Sequence, residues 1–447
     1  MKRHARREEL ESSDDSASAS FPPVEGALRS IDVTRMQAVD GLVGPLFCFL
    51  ATGVHRFFPR PVPDGAPQSI VFIKLGEQGA TVLAAPAIRE ATRRVGSSRV
   101  YYVTFAGNRE ILDLMELIPA ENVLEISNTS VSAFLRSLPG ILIRLRRLRL
   151  EAAIDLDFFT RASALLSWLT GAPRRVGLHP YFGEGPYRGD LITHRCRYNP
   201  HWHTARFFLA LVHALDQAPR DFPSWHASIG EDSLRLPAIR LPAQTRRGAE
   251  RLVLETLGLS SLPVLVLLNA NCSDLVPLRK WVPERYVELA RQILDRHPEV
   301  HILFTGAHSE AAATGQLAAA VGSDRCRSIG GKTTLAELLA IYDLAAVLVT
   351  NDSGPVHFAS LTRVKTVALF GPETPALFGP LAPSAIALTA ALPCSPCVSA
   401  QNSRQSLCRD NVCMKAITVE TVYAAVASLL PGPTRTKAQR HKETGWK

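Results

Sequence analysis

The residues Thr350-Asn351-Asp352-Ser353-Gly354-Pro355-Val356-His357-Phe358 follow the apolar run Leu348-Val349, so a buried strand stops at a polar turn and restarts as a helix. Such a corner can hold an anion. A helix that opens there offers unpaired backbone N–H groups, and Gly354 lets a phosphate approach the main chain. Pro355 fits the first helical turn because its missing N–H would have no partner anyway. His357 lies within that turn and adds a donor. The competing expectation is an ordinary strand-to-helix corner capped by Asp352 or Ser353.

Three further sets of residues could carry chemistry. In Lys74-Leu75-Gly76-Glu77-Gln78-Gly79-Ala80-Thr81, Glu77 is a carboxylate in a glycine-rich loop after an apolar run. It could act as a base or complement the dipole of the next helix. Thr334-Leu335-Ala336-Glu337 has capping-box spacing. Cys394, Cys397, Cys408 and Cys413, separated by two, ten and four residues, match the spacing of a four-thiolate structural zinc site, with disulfides or free thiols as alternatives. Cys48, Cys196, Cys272 and Cys326 stand alone and read as structural. Gly330-Gly331-Lys332-Thr333 is not a Walker phosphate loop, because Cys326 stands where that loop needs glycine.

The 351–361 segment, with Lys365-Thr366-Val367-Ala368-Leu369-Phe370-Gly371-Pro372-Glu373-Thr374-Pro375 behind it, resembles glycosyltransferase family 9, which contains the ADP-heptose:lipopolysaccharide heptosyltransferases. The resemblance covers roughly 69–430. It implies an α/β chain of GT-B architecture: two Rossmann-like, doubly wound domains facing across a cleft. It also implies an inverting transfer from a nucleotide diphospho-sugar, with ADP-heptose favoured, to a lipopolysaccharide-core or related lipid-linked glycan. No cofactor is implied for the chemistry.

Site residues follow from the same resemblance. Asp352, Ser353, Gly354 and His357 would hold the diphosphate. Arg279-Lys280-Trp281-Val282-Pro283 is similar to the family element whose basic residue contacts phosphate, and the extra Val282 leaves both Arg279 and Lys280 as candidates. Glu337 would bind ribose as well as, or instead of, closing its capping box. The family's catalytic Asp follows a glycine, here Gly79, which joins the substrate-binding set. Its own position is Ala80. Glu77 is therefore nominated as base, with Asp155 and Asp157 as other options. The missing Asp also leaves open a catalytically silent nucleotide-sugar-binding protein, and a nucleotide-sugar epimerase is a third reading.

These residues need a scaffold, and the chain is large enough for two cores: 447 residues, 46% hydrophobic and 20% charged. Apolar runs at 69–73, 100–105, 122–126 and 152–156 alternate with helical patterns, and a second series follows at 264–268, 301–305, 345–349 and 366–370. That rhythm predicts two parallel sheets covered on both faces. Tyr286, Leu289, Ala290, Ile293 and Leu294 form one helical stripe.

The expected organisation is a disordered tail over 1–30 and an apolar, membrane-associated segment with a Pro-rich linker over 31–68. An acceptor domain over 69–240, a nucleotide-sugar domain over 241–430 and a basic tail over 431–447 follow. The apolar run 41–54 is shorter than the roughly 20 residues of a spanning helix and contains Pro45, so it reads as an interfacial anchor or a packed helix. The basic and apolar run 144–150 suits an anionic membrane surface, or a helix with snorkelling arginines. Arg161, Arg174, Arg175 and the run 194–203 add positive charge suited to an acidic acceptor. No secretory signal is visible, which places the chain in the cytoplasm or on the inner membrane's cytoplasmic face. The net charge of +9 favours acidic partners, while no nucleic-acid-binding signature accompanies it.

Overall fold

The computed structural model describes residues 33–183, 185–219, 228–272 and 276–431; the tails expected at 1–30 and 431–447 lie outside them, except for Pro431. The chain enters through α1 (Val33–Phe57), which continues through Pro45. It then builds a first unit from β1 (Ile70–Ile73), α2 (Gln78–Leu83), α3 (Ala85–Val95), β2 (Val100–Phe105), α4 (Arg109–Met115) and β3 (Val123–Ile126). α5 (Val131–Arg147), β4 (Ala152–Asp155), α6 (Arg161–Leu169), β5 (Arg174–Leu178), β6 (His194–Cys196) and α7 (Thr204–His213) complete it.

An irregular stretch over 235–242 leads to α8 (Ala243–Leu257) and the second unit: β7 (Val264–Asn269), α9 (Pro283–Arg296), β8 (Val300–Phe304), α10 (Ala311–Val321) and β9 (Cys326–Ser328). It continues through α11 (Leu335–Leu344), β10 (Val347–Asn351), α12 (Gly354–Ala359), β11 (Lys365–Phe370), α13 (Pro375–Phe378) and β12 (Ile386–Thr389). α14 (Val412–Lys415) and α15 (Val419–Leu429) close it.

The two sheets run β3-β2-β1-β4-β5-β6 and β12-β11-β10-β7-β8-β9, and every ladder is parallel. Counted from its own first strand, each sheet has the same 3-2-1-4-5-6 order of a dinucleotide-binding fold. The strand order reverses between β1 and β4 in the first sheet and between β7 and β10 in the second. Ligands of such sheets sit beyond the carboxyl ends of the strands at that reversal.

Burial explains which strands the sequence reveals. β1 and β4 are buried at all four positions, as expected of strands covered on both faces. β5, β6, β9 and β12 lie outside the apolar runs that mark strands in the sequence. β5 opens with two arginines, and β12 alternates between half-buried and exposed positions. The α9 stripe is buried as its periodicity predicts. One apolar cluster runs through both units, joining Phe72, Val82 and Leu83 to Leu348, Val356 and Phe378.

The α1 helix corrects the sequence reading. Its Ala38–Phe57 portion is 20 residues, long and apolar enough to cross a membrane by length and composition, whereas the apolar run alone suggested a shorter element. Arg174 and Arg175 also differ from expectation. They are buried in β5 and donate to carbonyls: Arg174 to Pro63, Asp64 and Gly65, Arg175 to Ala172 and Leu191. Their charge pins the linker and strand, and Arg161 pairs with Asp40 on α1.

Candidate functional site

The site forms where the loop after β1 meets the turn after β10. On the C-terminal side, β10 ends at Asn351, whose side-chain oxygen accepts from the Trp281 N–H at 3.0 Å and the Tyr286 hydroxyl at 3.1 Å. The indole of Trp281 is fully buried and donates to the Ile417 carbonyl at 2.9 Å. This aromatic anchor fixes the chain between β7 and α9, and so places Arg279. The Arg279 guanidinium lies 3.6 Å from Asp352. Of the two basic candidates, Arg279 is the one that reaches the turn's carboxylate.

Neither Asp352 nor Ser353 caps α12 with its side chain; the Ser353 hydroxyl donates back to the Asn351 carbonyl at 3.1 Å. The first N–H groups of α12 are therefore left without a side-chain cap. Burial pushes Asp352 upward, opposed by Arg279. Burial, with the charges of His203 and Arg279, pulls His357 down to about 3, so its ring is neutral at physiological pH. The Arg279 Nε, one Asp352 oxygen and the His357 Nδ1 are buried with no hydrogen-bond partner among the described residues. Buried polar groups of this kind have a strong tendency to take a partner.

The N-terminal side presses directly on this turn. A Cβ at Gly79 would stand 2.6 Å from the His357 ring and 3.3 Å from the Gly354 Cα, so only glycine permits the approach of α2 to α12. Glu77 precedes α2 with φ of 70°, a left-handed backbone uncommon for this residue type. Its carboxylate is held by Lys74 at 3.2 Å and by Arg404, which reaches across from the cysteine-containing loop. Neither oxygen is free of a cation in this arrangement. Ala80 is buried within α2.

Asp155 and Asp157 lie beneath the loop as scaffolding. Asp157 accepts from Lys74 at 2.7 Å and from the Leu75 N–H at 3.0 Å. Asp155 is paired with Arg188 and accepts from Ser163 at 3.0 Å; burial, opposed by that arginine, raises it to about 6.

Sequence reasoning gave no role to Arg404, Glu373 or Lys74, and counted His203 as part of a positively charged run, whereas burial lowers it. The Arg404 guanidinium bridges Glu77 and Glu373, 3.7 Å from the latter, and lies over the Phe378 ring at 5.1 Å. Burial lowers it to about 10, which leaves it charged at neutral pH. Glu373 is raised to about 8, first by burial and then by Asp352. His203 joins the units through a 3.0 Å hydrogen bond to the Gly379 carbonyl. Glu373 falls in the quoted Gly-Pro-Glu run, but nothing local marks the contacts of Arg404 or His203.

Two predicted elements stand apart from the turn. Thr334 and Glu337 form a reciprocal capping box: the Thr334 hydroxyl accepts from the Glu337 N–H at 3.2 Å, and Glu337 accepts from the Thr334 N–H at 2.9 Å. Glu110 on α4 adds a cap from the other unit, accepting from the Leu335 N–H at 3.1 Å. The eight cysteines are free thiols. Among the described residues no three metal-ligating side chains are gathered into a closed cage, while Cys397, Cys394 and Cys408 lie near enough to Cys413 to add to burial in raising its thiol. The Cys408 thiol donates to the Asp410 carbonyl at 2.8 Å, and Cys397 accepts from the Ser406 hydroxyl at 3.4 Å.

The model of glycosyltransferase family 9 (heptosyltransferase) matches residues 142–407, more than half of the chain. The chain is 28% identical over 218 residues to lipopolysaccharide heptosyltransferase 2 of Salmonella typhimurium, covering 47% of this chain and 57% of that protein. It is 33% identical over 101 residues to the Escherichia coli K12 protein of the same name, covering 22% and 28%. The chain thus spans little more than half the length of the first of these curated relatives and less than a third of the second.

Its fold is that of solved E. coli ADP-heptose lipopolysaccharide heptosyltransferase II (TM-score 0.59, 19% identity, 81% of this chain and 98% of that one). A Veillonella parvula family 9 glycosyl transferase is similarly close (TM-score 0.60, 19% identity, 81% and 97%). With the candidate site at the strand-order reversal of both sheets, and the matched region running from the first unit through the turn after β10, this chain belongs to glycosyltransferase family 9.

Proposed function

We propose that the chain is an inverting glycosyltransferase that moves a sugar, with heptose from an ADP-linked donor favoured, to a lipid-linked acceptor of the lipopolysaccharide core or a related glycan at the cytoplasmic face of the inner membrane. The observation that carries this reading is the closure of the Gly76–Gly79 loop on the Asp352–His357 turn, which sets a carboxylate beside a cation-rich, uncapped corner. The donor's diphosphate would lie against the N–H groups of α12 with Arg279 beside it, and its ribose would face Glu337. Glu77 would take the acceptor hydroxyl proton as that oxygen attacks the anomeric carbon and the bond to the diphosphate breaks. The leaving group's charge is met by Arg279 and Arg404.

Glu77 can accept a proton only when Arg404 lets go of it. An incoming diphosphate is a suitable competitor for that guanidinium, because phosphate binds arginine strongly and in two-pronged geometry. Donor binding would then free the base as it fills the site.

The test offers purified chain ADP-heptose and a core acceptor. ADP release is expected, persisting in the presence of a chelator, and Glu77→Gln should abolish it while donor affinity is retained. A second reading rests on buried Ala80 and on the double restraint of Glu77: the chain binds a nucleotide sugar without turning it over. Tight donor binding with no ADP release from any acceptor would establish that reading and remove the first. ADP-heptose converted without an acceptor would indicate an epimerase.

A further inference from the structure

We propose that the outer face of α1 and the C-terminal ends of α5 and α6 form one docking surface for an anionic phospholipid bilayer, with a headgroup phosphate entering an arginine-lined cavity at the foot of α1. The helix is fixed to the domain by a stripe of small side chains. Gly44, Cys48, Ala51 and Thr52 face inward, and Cys48 and Ala51 pack with Leu165 and Trp168 of α6. A Cβ at Gly44 would stand 2.6 Å from Arg161, and one at Gly189 would stand 2.7 Å from the Cys48 carbonyl.

Polar contacts secure both ends. Asp40 accepts from the Ala162 N–H at 2.8 Å and pairs with Arg161 at 3.3 Å, while Arg56 pairs with Asp190 at 2.5 Å. A helix bolted along its length to a polar domain lies on that domain and does not cross a bilayer while docked.

What the helix turns outward is apolar. Leu42 is 82% exposed, Phe49 65% and Phe57 84%, with Val39 just before them and Leu46 and Leu50 between them. A contiguous face of this kind marks an interaction surface. Its chemistry is set by what lies at the foot of the helix. Arg60 donates to the Gly171 carbonyl at 2.8 Å, and Arg146 to the Leu169 carbonyl at 2.5 Å.

Beside them opens a surface cavity of about 550 Å³ lined by Leu142, Ile143, Arg146, Arg147, Arg149 and Leu169. None of Arg60, Arg146, Arg147 and Arg149 is ion-paired with a carboxylate among the described residues. The like charge of Arg60 adds to burial in lowering Arg146. Four guanidinium groups with no carboxylate, next to an exposed apolar helix, complement a phosphate that carries acyl chains. A soluble phosphate would satisfy the arginines and leave the helix face exposed.

The test uses the full chain and vesicles of phosphatidylcholine with or without phosphatidylglycerol. Sedimentation with the anionic vesicles is expected. Leu42→Glu combined with Phe49→Glu should lower bound protein on the order of tenfold or more on any vesicle. Arg147→Glu combined with Arg149→Glu should remove the preference for phosphatidylglycerol while leaving weak binding to phosphatidylcholine.

Unchanged melting curves and retained ADP binding would show that the variants fold and keep the separate nucleotide site. Three results would overturn the proposal: wild type staying in the supernatant with both vesicles, arginine variants sedimenting like wild type, or a lipid-free dimer that the Leu42 and Phe49 changes dissolve. Inorganic phosphate binding lost in the arginine variants, with vesicle binding intact, would assign the cavity to a soluble anion instead.

Discussion

Each of the two sheets places a cation and a carboxylate at its strand-order reversal, and the two pairs are finished differently. In the first unit Lys74 follows the first strand, Asp157 follows the fourth, and the two meet at 2.7 Å with the second Asp157 oxygen taken by the Leu75 N–H. In the second unit Arg279 follows the first strand and Asp352 the fourth, but they stand 3.6 Å apart, with the Arg279 Nε and an Asp352 oxygen lacking hydrogen-bond partners among the described residues. The first pair is complete within the protein and holds a loop. The second is incomplete within the protein and suits a ligand. The same architecture thus completes the support on one side and leaves buried polar atoms open to a partner on the other.

The largest expected effect sets these pairs against each other. Lys74→Met should strip a buried carboxylate of its partner and destabilise the protein by about 3–5 kcal/mol. Arg279→Met removes a longer contact, so its main effect should fall on donor affinity, with a loss of about 1.5–3 kcal/mol, on the order of 10- to 100-fold. Thermal melts alongside ADP titrations separate the two. Equal loss of melting temperature in both variants, with unchanged ADP affinity in the Arg279 variant, would break the comparison.

Gly79→Ala tests whether the sides must touch. The new methyl would meet the His357 ring at 2.6 Å, forcing α2 from α12. Overpacking of this sort costs about 1–3 kcal/mol, and a shift of about 1 Å between catalytic partners can lower turnover on the order of 100-fold. Rate at saturating donor is the decisive reading. A variant with wild-type turnover would show that the closed contact is dispensable.

The C-terminal half of this arrangement is the more legible in the sequence because its signals are local. An apolar strand, a polar turn and Pro355 announce β10 and α12, and the α9 stripe and the Thr334–Glu337 box follow from spacing alone. The N-terminal half depends on contacts distant in the chain. Glu77 is visible as the loop's carboxylate, but its restraint comes from Arg404, 327 residues away.

Likewise β5 is hidden because Arg174 and Arg175 look exposed until their carbonyl partners in the linker and before β6 are known. Pro45 inside the apolar run argues against a long helix, yet one lost N–H does not stop a helix held along its length by α6. The thiols have ligand-like spacing in the sequence; in the structure Cys397 and Cys408 hydrogen-bond to their own loop, and Cys413 feels the charge of the other three.

Two titrating groups on the binding side give opposite pH slopes. Glu373 is raised from 4.5 to about 8, so the folded chain keeps a proton that the unfolded chain loses; its stabilising contribution is full below 4.5 and is lost as pH rises through about 8. His357 is lowered from 6.5 to about 3, so its contribution is present above 6.5 and is lost as pH falls through about 3. Each limit is about 1.4 kcal/mol per pH unit. Melts between pH 5 and 9 should be nearly level from 5 to 6.5, where the two slopes oppose each other, and should decline from 6.5 to 8; Glu373→Gln should remove that decline and uncover a fall toward acid, while His357→Gln should extend the decline down to pH 5. Parallel curves for wild type and both variants would remove these groups from the account.

The smallest effect concerns Glu337, where support and binding would share one carboxylate. Thr334→Ala removes the hydroxyl that accepts from the Glu337 N–H and leaves the carboxylate in place, so it should cost about 1 kcal/mol of stability with donor affinity unchanged. Glu337→Ala removes the carboxylate that accepts from the Thr334 N–H, and should show a similar stability loss together with weaker binding of ADP, whose ribose hydroxyls would have used that carboxylate. The difference between the variants isolates the ribose contact because the cap is broken in both. Identical ADP affinities would make Glu337 a capping residue alone and shift Glu337 from the binding side of the comparison to the supporting one.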